Sequence, residues 1–418
     1  MQNKTIHAAA DMPDTGRLTF NVTSTIGLIP INDATITIRS SGVQDSVIEE
    51  LRTDSSGQSE TVELPAPPFD YSQEPGSNQP YANYDIVVTA PGYEPTIVNG
   101  TEVLPDATAI QPIELTPIET GTEEEDIVIP PHTLYYEYPP KIPEDEIKPI
   151  DESGSIVLSR VVIPQYIVVH DGVPANSGAP NYYVPYADYI KNVVSSEIYA
   201  TWPESTIYAN TLAIMSFTLN RVYTEWYRNQ GYNFTITSST AYDQKWIYGR
   251  NIYSNIDFIV DSIFNNFLSR PGVRQPIFTS YCDGVRTTCN GLSQWGSKYL
   301  GDQRYSAIDI IRYYYGNDMY INSTTSISGV PASWPGYNLG IGASGQKVQQ
   351  IQEQINRIAR NYPAIPTIVA DGIYGSRTAN AVRVFQRVFR LPQSGIVDYP
   401  TWYKLSQIYV AVSRISEP

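Results

Sequence analysis

Glu197 is the residue whose type and position best fit acid chemistry. Apolar spacing over 187–194 predicts a helix that ends near Ser196, and Pro203 suits the first turn of a second helix that extends to about Asn229. Glu197 is therefore expected between two helices, where a carboxylate can reach a cleft. Its apolar neighbours would favour the protonated form, which a proton donor needs. The alternative is a solvated glutamate at a helix end.

The loop GLSQWG, residues 291–296, carries residue types that recognise sugars. Ser293 and Gln294 can hydrogen-bond hydroxyl and N-acetyl groups. Trp295 offers a flat apolar face for stacking, and Tyr199 offers a similar face beside the acid. The residue types alone leave this use open, and the family resemblance described below implies that these four residues bind the substrate. The alternative is a tight turn that Trp295 packs.

Histidine is scarce, and this restricts the chemistry. His170 is the only histidine after residue 158, which excludes a zinc amidase or peptidase with several histidine ligands there. A Ser–His or Cys–His nucleophile would depend on His170, whose place at a strand end is more typical of a structural residue. Hydrolytic glycosidases usually need two carboxylates. The candidates for a second one, Asp188, Glu204 and Asp283, are more typical of surface or capping positions.

Cys282 and Cys289 are the only cysteines of the 418-residue chain. Two cysteines exclude a disulfide scaffold and a cysteine-rich zinc fold. Two thiolates seven residues apart could supply half of a tetrahedral zinc site, with the other ligands unidentified. They could instead form a disulfide or remain buried thiols. We expect no cofactor, with zinc as the alternative.

The charge is divided between the two parts of the chain. Residues 1–158 hold 27 of the 43 acidic and 6 of the 27 basic residues, a net charge of −21, and the remainder has a net charge of +5. Such parts should attract each other, and the basic part should favour an anionic polymer. No cluster of Lys and Arg with interleaved aromatics indicates nucleic-acid binding. The 33 tyrosines suit a surface that faces carbohydrate.

The first segment, residues 1–15, is a polar leader without the apolar core of a secretory signal peptide. No apolar run reaches the roughly 18 residues that a membrane span needs. We therefore expect no membrane partner, and any export would need another route. We also expect a monomer.

The first half of the chain predicts a sandwich followed by a connector. Alternating strands and turn residues over 16–117 predict a β-sandwich of about seven strands. The acidic, proline-rich stretch 118–155 predicts an extended and exposed connector, which a protease would cut most readily.

The second half predicts an α+β domain and a helical bundle. Mixed patterns over 156–322, with a helix from about 255 to 267, predict the α+β domain. A Ser/Gly/Pro-rich linker follows over 323–342. Three helical segments over 343–412 predict a compact bundle, with Ser376 as the N-cap of its middle helix.

Three segments resemble known families. TDSSGQSETVELP with YDIVVTAPGYEP resembles the carboxypeptidase regulatory-like, prealbumin-type sandwich. DGIYGSRTANAVRVFQ with LPQSGIVDYPTW resembles the peptidoglycan-binding domain type 1, whose DGxxG turn opens a helix that ends in FQ. SSEIYATWPES with the later GLSQWG resembles the stage II sporulation protein D family of cell-wall lytic transglycosylases.

The order of these segments behind an acidic front resembles the clostridial spore cortex-lytic enzymes in their precursor form. The resemblance implies a zymogen that acts on cortex peptidoglycan during germination, in the cortex or coat region of the spore, after a protease cuts near 155–162. It implies cleavage between N-acetylmuramic acid and N-acetylglucosamine by one acid. Glu197 would protonate the glycosidic oxygen and then take the proton of the C6 hydroxyl, which closes a 1,6-anhydro ring.

The chain also departs from the sporulation family. Met215, Ser216 and Phe217 stand where that family usually has an Arg-Thr-Tyr run, so a role of that arginine is not inherited. Some members bind zinc through His and Cys near the GxSQxG loop, but no histidine follows His170 here. A non-catalytic wall-binding protein and an N-acetylmuramoyl-L-alanine amidase remain the alternative functions.

Overall fold

The computed structural model describes residues 14–42, 47–118, 124–149, 157–329 and 334–413. The polar leader expected over 1–15 lies almost wholly outside this part of the chain. Residues 150–156, which include the end of the expected connector and the first residue of the expected α+β domain, also lie outside it.

Seven strands form in the described part of 14–118, and apolar and polar residues alternate along most of them. They are β1 Asp14–Ser24, β2 Thr35–Ser40, β3 Val47–Arg52, β4 Val62–Ala66, β5 Ala82–Thr89, β6 Thr96–Val103 and β7 Thr108–Leu115. In β1, for example, Leu18, Phe20 and Val22 are fully buried. A short 3-10 helix, Phe69–Ser72, connects β4 to β5.

The seven strands form two sheets. The first has the order β7-β1-β4, with β1 parallel to β7 and antiparallel to β4. The second has the order β3-β2-β5-β6 and is antiparallel. A further strand, β8 (Glu125–Val128), pairs in parallel with the edge of the second sheet. The chain after β7 therefore begins by extending the sandwich.

The described part of the expected connector is exposed at about half of its residues, but it is anchored to the central region rather than free. After β8 the chain crosses the central region without regular secondary structure. Four of its residues in this crossing are buried: Ile129, His132, Leu134 and Lys148. A few buried apolar residues and several ion pairs fix this segment against the central region. Its composition alone predicts a free, solvent-exposed connector.

The central region contains eight short strands and five helices in its described part. The strands are β9 Tyr166–His170, β10 Asn181–Pro185, β11 Ile236–Thr237, β12 Ile252–Tyr253, β13 Asn266–Ser269, β14 Tyr281–Cys282, β15 Leu292–Ser293 and β16 Tyr320–Ser323. The helices are α1 Tyr186–Glu197, α2 Glu204–Tyr223, α3 Ser254–Ile263, α4 Gln294–Asp302 and α5 Ala307–Tyr315.

Helix α2 is the centre of this region. Sixteen of its residues are buried, on all sides of the helix, because the run TLAIMSFTLN has no continuous polar face. The helix ends at Tyr223, six residues earlier than expected. Glu225 there has a left-handed φ of 46°, and the buried Tyr227 hydroxyl donates to Asp243 Oδ2 at 2.6 Å. The tertiary contact of Tyr227 thus determines where the chain leaves the helix.

Helix α3 also ends early, at Ile263 rather than near 267. Residues 266–269 pair as β13 with β16 in antiparallel register, so the last apolar residues of the helical pattern belong to a strand. Sequence periodicity does not distinguish these two uses of a short apolar run.

A hydrogen-bonded seam joins the sandwich to the central region. Strand β12 pairs with β7, so the two regions share one sheet. Beside it Arg250 forms a buried ion pair with Glu102. Asn251 completes the seam, since its side chain exchanges two hydrogen bonds of 3.0 Å with the backbone of Glu102. The expected boundary between the sandwich and the α+β domain is therefore crossed by regular structure.

The C-terminal region is helical, with α6 Gln346–Ala359, α7 Ser376–Val388 and α8 Tyr399–Ser413. Along α6, Val348, Ile351, Ile355 and Ile358 follow helical spacing and are fully buried. The N-cap of α7 is Gly375, and Ser376 is its first residue, which corrects the expected cap.

The C-terminal region also contacts both other regions. Tyr362 donates to Leu28 O at 3.0 Å and Gln58 to Val388 O at 2.7 Å. Lys404 lies 3.2 Å from Asp261 of α3. Within the described residues, every helix is too short or too polar to pass through a lipid bilayer.

Candidate active site

Glu197 is the last residue of α1, and its carboxylate is held by three donors. Lys245 N donates to Oε1 at 2.9 Å, and the Tyr281 hydroxyl lies 3.4 Å from the same oxygen. Gln294 Nε2 donates to Oε2 at 3.2 Å and to the backbone oxygen of Glu197 at 3.0 Å. Glu197 is only 5% exposed. The alternative of a solvated glutamate at a helix end is therefore wrong.

The Glu197 carboxylate lines a cavity of about 340 Å³. Tyr281 and Gln294 line it with Glu197, and so do Asp283 and Thr287 of the following loop. The volume lies at the lower end of the range for ligand sites in proteins. The structure therefore places one enclosed carboxylate, with neutral hydrogen-bond donors around it, at a cavity wall.

Of the residues expected in the GLSQWG loop, Gln294 reaches the acid and Ser293 does not. Ser293 is the N-cap of α4, and its hydroxyl accepts a hydrogen bond from Gly296 N at 2.9 Å. A hydroxyl in this position satisfies one of the free N–H groups of the first helical turn. Ser293 therefore has a structural use that explains its position without a substrate.

Tyr199 and Trp295, the other two residues expected to bind substrate, do not line the cavity. They pack with Trp202 in an aromatic cluster whose ring centroids are 4.9 to 6.0 Å apart. Tyr199 is 1% and Trp295 8% exposed. In this form of the chain neither ring can meet a ligand in the cavity.

Cys282 and Cys289 are joined by a disulfide, one of the three alternatives that the sequence left open, and this corrects the alternative of zinc ligands. Each sulfur is bonded to the other, so neither is a thiolate available to a metal. In the described ranges no group of three or more His, Cys, Asp and Glu side chains could hold a metal ion. The bridge closes the loop that forms one side of the cavity, and Cys282 itself lines it.

The possible second carboxylates have other positions. Asp283 lines the cavity, but its oxygens accept from the backbone N–H groups of Val285, Arg286 and Thr287 at 2.8 to 3.1 Å. It therefore organises the disulfide loop. Asp188, in the first turn of α1, lies about 14 Å from Glu197 along the helix axis. Glu204 is exposed in the first turn of α2.

His170 has a structural environment. Its ring is buried and stacks on Phe234 at 4.5 Å, and Nδ1 lies 2.8 Å from Asn181 Oδ1. It does not line the cavity of Glu197. The three residues that differ from the sporulation family, Met215, Ser216 and Phe217, are fully buried and belong to the core.

The other wall of the cavity belongs to the connector. Seven of the fifteen lining residues lie in this segment: Thr133, Tyr136, Glu137, Tyr138, Pro139, Pro140 and Lys141. The Lys141 ammonium donates to Asp243 O and lies 4.5 Å from the ring centre of Tyr281, a residue that also contacts Glu197. Burial lowers the pKa of Lys141 to about 8. The connector thus covers the candidate acid.

Ion pairs hold the connector in place. Glu144 accepts from both terminal nitrogens of Arg221, at 2.8 and 2.6 Å, and Arg221 has a fully buried side chain. Glu146 forms a second bidentate pair with Arg270, with one bond of 3.0 Å. Within the connector itself, Lys148 pairs with Glu144 at 2.7 Å. The attraction expected between an acidic front and a basic back is thus realised at specific pairs.

Sequence reasoning missed three residues around Glu197. Lys245 contributes a backbone N–H, which no side-chain pattern reveals. Tyr281 directly precedes Cys282, a residue already considered as a possible zinc ligand. This adjacency was the only feature of the sequence that could have pointed to Tyr281. Lys141 lies in a segment interpreted as a spacer, although it is one of only six basic residues before 159.

Comparison with solved structures yields weak likenesses. The N-terminal domain of SleB is 28% identical over 18% of this chain and 99% of its own, with a TM-score of 0.16. The TIE protein of Bacillus anthracis is 13% identical over 25% of this chain and 17% of its own, with a TM-score of 0.18. The minor pilin GBS52 of Streptococcus agalactiae is 17% identical over 26% and 48%, with a TM-score of 0.17. Scores this low support no argument about fold or function.

The C-terminal region gives a specific match. No curated protein matches the chain. Residues 344–405, however, match the family model described as "Putative peptidoglycan binding domain". These residues include α6, α7 and the first part of α8. The chain therefore carries a peptidoglycan-binding domain at its C-terminal side, joined to a central region with an enclosed carboxylate.

Proposed function

We propose that the protein is the precursor of an enzyme that cleaves the glycan strands of spore-cortex peptidoglycan. The reaction is that of a lytic transglycosylase, between N-acetylmuramic acid and N-acetylglucosamine. The observation that carries this proposal is the Glu197 carboxylate in its cavity, on a chain with a peptidoglycan-binding domain. The order of segments, which resembles precursors of clostridial cortex-lytic enzymes, supports the same proposal.

The proposed reaction needs one carboxyl group. Glu197 donates its proton to the glycosidic oxygen while the bond from C1 to that oxygen breaks. The carboxylate then takes the proton of the C6 hydroxyl, whose oxygen forms the new bond to C1. The acid is regenerated, and no water is consumed. The donors from Lys245, Tyr281 and Gln294 orient the carboxylate and stabilise the anion between the two steps.

The N-terminal part acts as an inhibitor in this proposal. Connector residues supply nearly half of the cavity lining, so a glycan strand cannot pass Glu197 while they are in place. A protease that cuts near 155–162 would separate the sandwich and connector from the rest of the central region. Release of the sandwich and connector would then turn a closed cavity into a groove.

The test is the substitution Glu197→Gln in protein that has been cut and assayed on cortex fragments. We expect release of anhydro-muropeptides, measured by mass spectrometry, to fall by roughly 10²- to 10⁴-fold. Binding to the fragments should persist, because residues 344–405 lie outside the cavity. Glu204→Gln, on the exposed first turn of α2, is the matched control. Unchanged release by Glu197→Gln would refute the proposed reaction.

A wall-binding protein without catalysis is the second candidate. It is favoured by Ser216 and Phe217, which stand at two positions of the family's Arg-Thr-Tyr run and make contacts within the core. In that case neither the parent protein nor the variant would release any soluble sugar. New free amino groups on alanine, without anhydro sugars, would instead indicate an amidase.

A further inference from the structure

Three aromatic side chains, close in sequence to residues of the candidate site, pack against one another. Trp202 and Trp295 have ring centres 4.9 Å apart, and Tyr199 lies 5.8 and 6.0 Å from them in edge-on contacts. Tyr199 and Trp202 follow Glu197 by two and five residues, and Trp295 follows Gln294. Each ring is thus connected through a few residues to a group that lines the cavity.

The N-terminal part contacts two of these rings, those of Trp202 and Tyr199. Trp202 Nε1 donates to Ser72 O at 2.8 Å, and Thr201 Oγ1 lies 2.8 Å from Ser72 Oγ. His132 lies 4.5 Å from the Tyr199 ring, and its Nε2 is 3.3 Å from Ile198 O. Trp202 is 3% exposed in the closed form.

The covered surface continues up to the acid. Thr133 Oγ1 donates to Ser196 O at 2.7 Å, one residue before Glu197. Residues 196–202 therefore contact the sandwich at one end and the connector at the other. The same N-terminal part that closes the cavity also closes the aromatic surface beside it.

If the N-terminal part leaves, Trp202 loses a hydrogen-bond partner. Its indole N–H loses the carbonyl of Ser72, and an unsatisfied donor is costly unless water or a ligand replaces the acceptor. A flat apolar ring with one polar edge group fits a sugar ring, which has an apolar C–H face and peripheral hydroxyl and acetamido oxygens. The position next to Glu197 fits the sugar residues that flank a bond at the acid.

We propose that Tyr199, Trp202 and Trp295 form a hidden carbohydrate-binding surface that opens only when the N-terminal part leaves. Its ligand is a β-1,4-linked strand of N-acetylated hexosamines, with Trp202 as the main stacking residue. The choice of ligand rests on the proposed function and on the peptidoglycan-binding domain of the same chain. Tyr199 and Trp295 would then contact the ligand although neither lines the cavity in the closed form.

The test measures binding of a hexamer of β-1,4-linked N-acetylglucosamine by calorimetry. The full-length chain carries Glu197→Gln, to prevent turnover, and an inserted protease site within 150–156. We expect the cut chain to bind the hexamer at least tenfold more tightly than the uncut chain, and excess N-terminal fragment to reverse the gain. Comparison with the uncut chain subtracts binding by the C-terminal domain.

Two variants assign this gain to the aromatic surface. In the cut chain, Trp202→Ala should weaken the added binding by roughly tenfold, about the value of one aromatic contact. Trp202→Phe keeps a ring without the N–H and should fall between the two, which excludes simple misfolding as the cause. Trp334→Ala, in the C-terminal region, should leave the added binding unchanged.

The proposal is overturned if the cut chain binds no more tightly than the uncut chain, or if both Trp202 variants bind like the parent. Either result leaves the role of Glu197 untouched. Conversely, lysis by Glu197→Gln would refute the proposed reaction while the binding that depends on Trp202 stands.

Discussion

The two walls of the cavity are held in different ways. The wall with Glu197 is built from buried, uncharged donors that the central region contributes from three separate places in the sequence. The wall from the connector is anchored by Glu144 and Glu146, whose side chains are 16% and 36% exposed. The first wall is part of a core and persists as long as the region is folded. The second depends on ion pairs between segments that a cut can separate.

This difference indicates that the wall with Glu197 carries out the proposed reaction and that the connector wall controls access to it. Groups that must hold an acid within a few tenths of an ångström are best fixed by packing. The connector instead relies on a few ion pairs, of which Arg221–Glu144 is largely buried and Arg270–Glu146 is partly exposed. The comparison predicts that substitutions in the connector alter access, whereas substitutions around Glu197 alter the rate of an open site.

Glu144→Gln should have the largest effect on the connector wall. It leaves the buried Arg221 with Asp243 as its remaining carboxylate, at 2.7 Å, and breaking a buried pair costs about 3–5 kcal/mol. We expect the local opening of this segment to become at least 100-fold more frequent. Hydrogen exchange of the Ile142 and Lys148 amides, which are bonded in the closed form, reports this opening.

The matched control for Glu144 is its neighbour Asp145, an exposed acid on the same segment. Asp145→Asn removes the same charge and should change the exchange of Ile142 and Lys148 little. Equal exchange in both variants would show that net charge, rather than the pair with Arg221, holds the connector.

Gln294→Ala tests the wall that carries the acid. It removes the donor to Glu197 Oε2 and to the Glu197 backbone oxygen. We expect anhydro-muropeptide release by the cut protein to fall by roughly 10- to 100-fold, the equivalent of one or two hydrogen bonds to a charged group. Gln303→Ala, just after the other end of α4, is the control. A normal rate in Gln294→Ala would mean that the carboxylate needs no such support.

Ser293→Ala separates two uses of one hydroxyl. As the N-cap of α4, Ser293 should contribute about 1 kcal/mol to stability, and its loss should lower the melting temperature of the chain. A capping residue affects the stability more than the reaction, so product release by the cut protein should change less than twofold. A large loss of product release at unchanged stability would restore Ser293 to the substrate-binding residues.

Local patterns predicted much of the architecture. Most of the seven strands of 14–118 follow the period-two alternation from which the sandwich was predicted. The C-terminal helices carry apolar residues at helical spacing, and their motif leads to the same family as the family model. In these regions the secondary structure depends mainly on residues that are close in sequence.

The candidate site was predictable only in part, because its partners are far apart in sequence. Glu197 and Gln294 are 97 residues apart, and the pair Arg221–Glu144 spans 77. The course of the connector depends on these distant pairs, so its composition alone suggested an exposed spacer. The end of α2 at Tyr223 likewise depends on Tyr227 and Asp243, which meet only in the folded chain.

The smallest predicted effect is a change in the pKa of Lys141, a residue of the connector wall, when Glu197 of the opposite wall is substituted. Burial lowers the pKa of this ammonium group to about 8, whereas the negative charge of Glu197 opposes that shift. We expect lysine-selective NMR of the uncut chain to show Lys141 titrating near pH 8, assigned by the signal that disappears in Lys141→Met. In Glu197→Gln the pKa should fall further, by a fraction of a unit, because the stabilising carboxylate is gone. Glu204→Gln should leave it unchanged.

The sign of this shift determines how the cover responds to pH. The open connector exposes Lys141 to water, where its pKa returns to about 10.5. Between pH 8 and 10.5 the open form therefore binds the proton more tightly than the closed form, so closure strengthens as the pH rises through this window and is weakest below pH 8. Lys148, whose pKa burial also lowers to about 8, adds an effect of the same sign. A Lys141 pKa that does not respond to Glu197→Gln would show that the two walls are not electrostatically coupled, and that the connector merely lies near the acid.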